Sequence, residues 1–225
     1  MAGVYGAARI RRRVCRGRLA QPSAAQRLMQ NAVHVLVFEG FADWEPAHAL
    51  AELRRSGKRD VVVVGFNLDP VASMGGLRVV PDRALKAIRL SEIEILILPG
   101  GDFWESSYPQ ADLDRALNDL VEKRVPIAAI CAGTLAVARA GLLNDRRHTS
   151  NMPGYIAEHA PDYSGASLYE AGPAVNDRGV ITASGLAPVE FAHEIFKQLN
   201  IFTAADDALW FDMFRNGRLP QTPGP

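Results

Sequence analysis

The sequence predicts an α/β domain with a doubly wound, mostly parallel sheet that is flanked by helices and extended by added hairpins. Three observations lead to this prediction. Short apolar runs rich in β-branched residues lack polar alternation, which is typical of strands buried on both faces. Amphipathic helical patterns lie between these runs. A chain of 225 residues can also bury the core that such a sheet requires.

Four apolar runs are predicted as buried strands. They are VHVLVF at 33–38, DVVVVGF at 60–66, IEILILPGG at 93–101 and PIAAI at 126–130. Five segments carry a helical pattern: WEPAHALAELRRSG, ADLDRALNDLVEK, AGTLAVARAGLL, PVEFAHEIFKQL and TAADDALWFDMFRNG. The first of these helices is expected to hold Pro46 in its first turn and to end at Gly57.

Two segments interrupt the strand–helix alternation. VASMGGLRVVPD at 71–82 has Gly-Gly between apolar stretches, which predicts a hairpin appended to the sheet. PAVNDRGVITASG at 173–185 predicts a second hairpin that turns at 176–179.

One domain is expected over residues 31–217, between a basic extension at 1–30 and a tail at 218–225. The extension has seven arginines and no acidic residue, which is typical of an organellar transit peptide or a basic arm. The alternative is a start codon placed too early, with Met29 as the true start. We expect a cytoplasmic protein, and an organellar one only if the extension is a transit peptide.

The composition gives information about the binding partners and the compartment that are expected for the protein. Lys plus Arg equals Asp plus Glu at 25 each, so charge gives no reason to expect nucleic acid or an anionic membrane. The apolar runs are too short to span a bilayer. The only cysteines, Cys15 and Cys131, do not suggest a disulfide framework, and a reducing compartment is expected.

No cofactor and no metal are expected. The sequence has no phosphate loop and no dinucleotide fingerprint. The cysteines form no paired motif, and His48, three residues after Glu45, offers at most a weak pair of ligands.

Cys131 is the first candidate for chemistry. It follows a buried strand directly and opens a helix with Ala132 and Gly133. A side chain on such an elbow lies beside the positive end of the helix dipole, which predicts a lowered thiol pKa and a nucleophilic thiolate. The alternative is a buried, inert cysteine.

Two other strand ends carry candidate partners, and the carboxyl ends of parallel strands are where sites form. Gly100 and Gly101 could present backbone N–H groups to an oxyanion, or form a plain turn. Glu45 follows Asp43 and Trp44 after the first strand. In a partly apolar setting its carboxyl could be protonated and donate to a thiolate, whereas the alternative is a solvated acid at a helix start.

The stretches VLVFEGFADWEPAHALAELRRSG, LILPGGDFWES, AAICAGTLAVARAGLL and ITASGLAPVEFAHEIFKQL together resemble the DJ-1/ThiJ/PfpI superfamily. The resemblance covers roughly residues 33–200, and AICAG with LPGG upstream is its most specific part. It implies a flavodoxin-like, class I glutamine amidotransferase-like fold. It also implies that Cys131 is the nucleophile, that Glu45 hydrogen-bonds it, and that Gly100, Gly101 and the Ala132 amide bind the oxyanion.

One family element does not match. Many members with glyoxalase- or deglycase-type activity have a histidine shortly before the late hairpin, where this chain has Ser-Leu-Tyr at 167–169. His148 is the histidine expected to reach Cys131, and the alternative is a strand residue facing solvent. His159 is expected in a surface loop. Asn151 is expected to line the pocket with Asp43 and Trp44.

Three functions remain open from the sequence. In the first, Cys131 attacks small carbonyl or amide compounds, as in a glyoxalase, deglycase, amidase or glutamine amidotransferase. In the second, oxidation of Cys131 makes the protein a sensor of, or protectant against, oxidative stress. In the third, the domain senses a ligand, as in relatives where it precedes a DNA-binding region, although none is expected here. Relatives are commonly homodimers, which the resemblance implies for this chain.

Overall fold

A seven-stranded sheet forms the centre of the protein. The computed structural model describes residues 32–57 and 59–219, so the predicted extension at 1–30 and most of the predicted tail lie outside the described residues. The strand order is β5-β2-β1-β6-β7-β9-β8. The strands are β1 Ala32–Val37, β2 Val61–Gly65, β5 Arg83–Ala84, β6 Ile93–Leu98, β7 Ile127–Ile130, β8 Ala174–Asp177 and β9 Val180–Ala183.

The sheet is mostly parallel, as predicted. β2, β1, β6, β7 and β9 pair in parallel along the sheet, and β5 pairs in parallel with β2. Only β8 is antiparallel, because it forms a hairpin with β9. The turn of this hairpin lies at Arg178 and Gly179, which both have positive φ angles, as a two-residue type I′ turn requires.

Helices cover both faces of the sheet. They are α1 Ala47–Arg55, α2 Gln110–Glu122, α3 Gly133–Arg139, α4 Tyr155–His159, α5 Pro188–Leu199 and α6 Ala204–Asn216. α2, α3 and α4 contribute to the hydrophobic core on one face, and α1, α5 and α6 contribute to the core on the other. Alternate residues of β6 enter opposite cores, since Leu96 joins the first and Ile95 the second. The doubly wound α/β prediction is confirmed.

Two local predictions were wrong. The segment 71–82 does form a hairpin, but its strands β3 Val71–Ala72 and β4 Arg78–Val79 pair only with each other and do not extend the main sheet. The next strand in the chain, β5, does join the main sheet, where it pairs with β2. Pro46 precedes α1 instead of lying inside its first turn, because the preceding residues form a tight turn.

The topology places the switch point of the sheet at the carboxyl ends of β1 and β6. The chain runs from β1 outward to β2 and β5, then returns to β6 on the other side of β1. Such a switch of direction separates the loops that leave neighbouring strands and is where open α/β sheets bind ligands. In the described part of the chain, no helix is long and apolar enough to cross a membrane.

Candidate active site

Cys131 occupies a sharp turn between β7 and α3. Its φ angle is 57°, in the left-handed region that residues other than glycine seldom adopt. The turn is held because the Cys131 N–H donates to Ala183 O on the neighbouring β9, at 2.9 Å. The Thr134 N–H and hydroxyl both donate to Cys131 O. The backbone conformation is thus fixed on both sides, and Cys131 itself is partly exposed.

Glu45 lies buried beside this sulfur, with 1% of its surface exposed. Its side chain hydrogen-bonds the Cys131 thiol. Its Oε2 also accepts a hydrogen bond from the Gly100 N–H at 2.5 Å. The loops after β1, β6 and β7 therefore meet at one point, as the positions of the strand ends predict.

Two glycines make room for this contact. A Cβ atom at Gly100 would lie 2.6 Å from Cys131 Cβ and 2.7 Å from Glu45 Oε2. A Cβ atom at Gly185, just after β9, would lie 2.9 Å from Cys131 Sγ. All three distances are shorter than real Cβ atoms show, so the thiol and the carboxyl can approach only where these residues lack side chains.

Asn151 supplies a third group to the sulfur. Its Nδ2 donates to Cys131 Sγ at 3.3 Å, and its Oδ1 accepts from the Gly185 N–H at 3.0 Å. The Gly185 bond fixes which end of the amide faces the thiol, because the carbonyl oxygen must face the backbone donor. Asn151 therefore presents a donor to Cys131.

A chain of hydroxyl groups holds the segment that carries Asn151. Thr134 Oγ1 donates to Cys131 O at 2.7 Å and lies 2.7 Å from Ser150 Oγ. Since the hydroxyl proton of Thr134 is used on the carbonyl, Ser150 must be the donor to Thr134. Both residues are buried, so this chain ties the segment before Asn151 to the elbow.

Burial raises the pKa of both ionisable groups at the site. Desolvation raises the pKa of the Glu45 carboxyl to about 7, against the opposing effect of the Gly100 and Cys131 hydrogen bonds. Desolvation, and then the charge of Glu45, raises the pKa of the Cys131 thiol to about 11, despite the donors Asn151 and Ala132. The prediction of a lowered thiol pKa was wrong, because burial beside a carboxyl outweighs the helix dipole.

The backbone N–H groups of Gly100, Gly101 and Ala132 were predicted to bind an oxyanion, and the structure shows their hydrogen-bond partners. The Gly100 N–H donates to Glu45 Oε2, so its predicted role in binding an oxyanion requires this bond to break. The Ala132 N–H donates to the Cys131 thiol. The Gly101 N–H has no hydrogen-bond acceptor within the described ranges. Gly101 has φ 150°, and a Cβ there would lie 2.8 Å from the Phe38 ring, which explains the need for glycine.

The sequence model of the DJ-1/PfpI family matches residues 31–198, which include every element described at the site. The chain belongs to the DJ-1/PfpI family. It is 39% identical to YoaZ of Bacillus subtilis, described as an uncharacterized protease, over 80% of this chain and 89% of YoaZ. It is also similar to the DJ-1 superfamily protein Atu0886 from Agrobacterium tumefaciens, with a TM-score of 0.77 and 36% identity, covering 84% of this chain and 100% of Atu0886.

More distant DJ-1/PfpI relatives have names that state an activity. The glutathione-independent glyoxalase DJR-1.2 of Caenorhabditis elegans is 28% identical over 64% of this chain and 75% of its own length. The deglycase TK1284 of Thermococcus kodakarensis is 28% identical over 53% of this chain and 72% of its own length.

The histidine expected to reach Cys131 is engaged elsewhere, and an amide contacts the sulfur instead. His148 is fully buried, so the alternative of a solvent-facing residue was wrong. Its Nδ1 contacts Arg146 O at 2.7 Å and its Nε2 contacts Tyr163 Oη at 2.6 Å. Both ring nitrogens are thus engaged away from Cys131, and the prediction that His148 reaches the sulfur was also wrong. In this DJ-1/PfpI protein the side chain that donates to Cys131 Sγ is that of Asn151.

The remaining candidates lie around the site. Asp43 Oδ2 accepts from Ser73 Oγ at 2.7 Å, so this acid holds the β3–β4 hairpin and not the thiol. Trp44 is 51% exposed, whereas its neighbour Glu45 is buried. His159 is partly buried near the end of α4 and contacts Tyr155 O.

His193 lies on α5, where its Nε2 contacts Asp207 Oδ2 at 2.7 Å. His48 packs against the rings of Trp210 and Phe214, whereas Glu45 faces Cys131. Among residues 32–57 and 59–219, no three His, Cys, Asp or Glu side chains are placed to hold a metal ion.

Sequence reasoning missed Gly185, Ser150 and Thr134. Gly185 had a usable signal, because it follows a predicted strand in ITASG as Gly100 follows another in LPGG. Ser150 and Thr134 carry no comparable signal, because buried hydroxyl pairs follow from tertiary packing and not from spacing.

Proposed function

We propose that this DJ-1/PfpI protein is a cysteine-dependent enzyme that acts on small carbonyl or amide compounds through Cys131. The observation that carries the proposal is the convergence of Glu45 and Asn151 on a partly exposed sulfur held in a strained turn. A carboxyl whose pKa is about 7 can accept a proton and return it at neutral pH, which is what a general base requires.

The proton of the thiol goes to Glu45 in the first step. The sulfur electron pair then forms a bond to the carbonyl carbon, and the carbonyl π electrons move to its oxygen. The Gly101 N–H, which has no acceptor within the described ranges, is the backbone donor available to this new charge. With an amide, collapse of the adduct breaks the C–N bond, Glu45 returns the proton to the departing nitrogen, and water hydrolyses the thioester.

Asn151 has a defined part in this scheme. It donates a hydrogen bond to the sulfur but has no titratable proton, so it favours the thiolate without competing with Glu45 for the proton. The names of the relatives, which include a protease, a glyoxalase and a deglycase, support a carbonyl or amide substrate.

The proposal is tested by measuring turnover of methylglyoxal and of a panel of small amides by the full chain. Cys131→Ala should lower kcat/KM by more than about 1,000-fold, because it removes the nucleophile. Glu45→Gln should lower it by about 100-fold or more, because the proton acceptor is lost. Cys15→Ala is the matched control and should keep full activity. Equal rates for Cys131→Ala and the wild-type protein would refute the proposal.

A second candidate function is oxidation sensing by Cys131. The amide of Asn151 in place of an imidazole favours it, because a sensor needs no proton shuttle. Mass spectrometry after mild peroxide treatment should then show sulfenic or sulfinic acid at Cys131. An unmodified Cys131, at doses that oxidise ordinary thiols, would rule this function out.

We further propose that the protein acts as a cytoplasmic homodimer with a small-molecule substrate and with no nucleic-acid or membrane partner. The neutral balance of charged residues supports the absence of nucleic acid. Light scattering should give twice the mass of one chain, and fractionation of cells should place the protein in the soluble fraction.

A further inference from the structure

Helices α3 and α4 are in contact and are tied together at both ends. At their starts, Asn151, which precedes α4, donates to Sγ of Cys131, which precedes α3, at 3.3 Å. At their ends, Arg139 Nη2 donates to His159 O at 2.9 Å. Tyr155 is the first residue of α4. It therefore lies at the end of the helix pair that carries the sulfur.

The Tyr155 hydroxyl is held by the loop that leaves β6. Tyr155 Oη donates to Glu105 Oε1 at 2.7 Å. Glu105 closes the short 3₁₀ turn that follows Gly101. Arg139 Nη1 holds this turn against α3, because it donates to Trp104 O at 2.6 Å. The bond between Tyr155 and Glu105 therefore joins two of the chain segments that surround the thiol.

The charges that act on the Tyr155 hydroxyl show that it is near the thiol. Burial raises the pKa of this hydroxyl, and so do, in decreasing order, the hydrogen bond and charge of Glu105 and the charge of Cys131, against a smaller opposing effect of Arg139. A charge shifts the pKa of another group in this way only over a short distance. Tyr155 is partly exposed, and so is the Glu105 side chain, at 43%. A substrate that reaches Cys131 can therefore also reach this pair.

The direction of the hydrogen bond decides what the Tyr155 hydroxyl offers to a substrate. The raised pKa keeps the phenol protonated, and its one proton is given to Glu105. The phenolic oxygen keeps its lone pairs, so it can accept a further hydrogen bond but cannot donate one. An acceptor in this position suits an N–H group of the substrate and offers nothing to a carbonyl oxygen.

We propose that Tyr155 accepts a hydrogen bond from the substrate, and that the protein therefore prefers primary amides and other carbonyl compounds with a free N–H beside the carbonyl carbon. This inference rests on the proposed function, because it assigns the substrate class of the same site. The bond to Glu105 strengthens the acceptor, since an O–H that donates to a carboxylate leaves more negative charge on its own oxygen. Tyr155 is thus a binding residue, separate from the proton transfer between Cys131 and Glu45.

Turnover by the full chain provides the first test. Tyr155→Phe removes the acceptor and keeps the ring, so kcat/KM for propanamide should fall by about three- to tenfold, as for the loss of one hydrogen bond. The value for methylglyoxal, which has no N–H, should change by less than about twofold. Tyr163→Phe is the matched control, because the Tyr163 hydroxyl contacts His148 Nε2 at 2.6 Å. This control should keep the wild-type ratio of the two values.

A second measurement does not depend on turnover. The rates at which iodoacetamide and its N,N-dimethyl derivative alkylate Cys131 can be followed by peptide mass spectrometry and divided by their rates with glutathione. The ratio of these normalised rates should exceed one in the wild-type protein and should fall by about threefold or more in Tyr155→Phe. Unfolding would raise both rates towards those of glutathione, whereas loss of the acceptor should lower only the iodoacetamide rate.

The outcomes separate the two proposals. If neither methylglyoxal nor any amide is turned over but Tyr155→Phe lowers the alkylation ratio, the proposed function fails and the binding role of Tyr155 stands. If turnover depends on Cys131 but Tyr155→Phe keeps the wild-type ratios of turnover and of alkylation, the function stands and this inference is overturned. It is also overturned if Tyr163→Phe lowers these ratios as much as Tyr155→Phe does.

Discussion

Glu45 and Cys131 hydrogen-bond one another although they follow strands that are not neighbours. β6 lies between β1 and β7, and the loop that leaves β6 would separate the two side chains if it carried a side chain of its own. Gly100 removes this obstacle, and its N–H then binds the carboxyl that passes it. The contact between Glu45 and Cys131 therefore depends on the loops after three strands, β1, β6 and β7.

Replacement of Gly100 by alanine should break this arrangement. The added methyl group would lie 2.6 Å from Cys131 Cβ, so the elbow or Glu45 must move. We expect a loss of about 2 to 4 kcal/mol in the free energy of unfolding, measured by denaturant titration, together with loss of activity. Gly172→Ala is the control, because its nearest contacts would be at 3.9 Å, and its stability should change by less than about 0.5 kcal/mol. Wild-type stability in Gly100→Ala would contradict this account.

The reactivity of Cys131 should depend on the ionisation of Glu45. Below about pH 7 the carboxyl is protonated and cannot accept the thiol proton, so the rate of alkylation by iodoacetamide should rise as the pH passes through about 7. In Glu45→Gln this step should disappear. The charge that helps to raise the thiol pKa to about 11 is also absent, so the remaining titration of the thiol should begin at a lower pH. If the alkylation rate of Glu45→Gln still rises near pH 7, the rise must be due to another titratable group.

Burial of Glu45 should also make stability depend on pH. Its pKa is about 7 in the folded protein and near 4.5 in the unfolded chain, so the folded state binds more protons between these values. The contribution to stability is complete below about pH 4.5 and is lost as the pH rises through 7, by roughly 3 kcal/mol. The difference between the wild-type protein and Glu45→Gln, measured by denaturant titration across this window, should change by that amount. A difference that stays constant with pH would contradict the assignment.

Replacement of Asn151 by leucine should leave the thiol without its side-chain donor. The hydrogen bond from Asn151 lowers the thiol pKa, so its loss should raise that pKa further and slow alkylation of Cys131 several-fold at a fixed pH. The Gly185 N–H also loses its acceptor, which should cost about 1 to 3 kcal/mol of stability. Asn216→Leu, at the end of α6, is the control and should change neither value. Unchanged alkylation in Asn151→Leu would show that the amide does not tune the sulfur.

The sequence was sufficient for the features that depend on local pattern. Buried β-branched runs predicted the parallel strands. The positions of Glu45, Gly100 and Cys131 after three of these strands predicted that the three residues meet at one site. The pairing of these groups was less predictable. That Gly100 donates to Glu45, and that His148 turns towards Tyr163, depend on which atoms face each other after folding. The thiol pKa was mispredicted for the same reason, because desolvation is a property of the packed structure.

The residues that contact the sulfur are spread from Glu45 to Gly185 along the chain. No fragment that lacks either end of this span can reproduce the environment of Cys131, because the contacts join distant parts of the sequence. While the sheet is incomplete, Cys131 is an ordinary solvated cysteine. The strained turn and the buried acid beside the thiol therefore form only once these distant segments have assembled. The rate at which the thiol is modified then reports how much of the chain has reached its native arrangement.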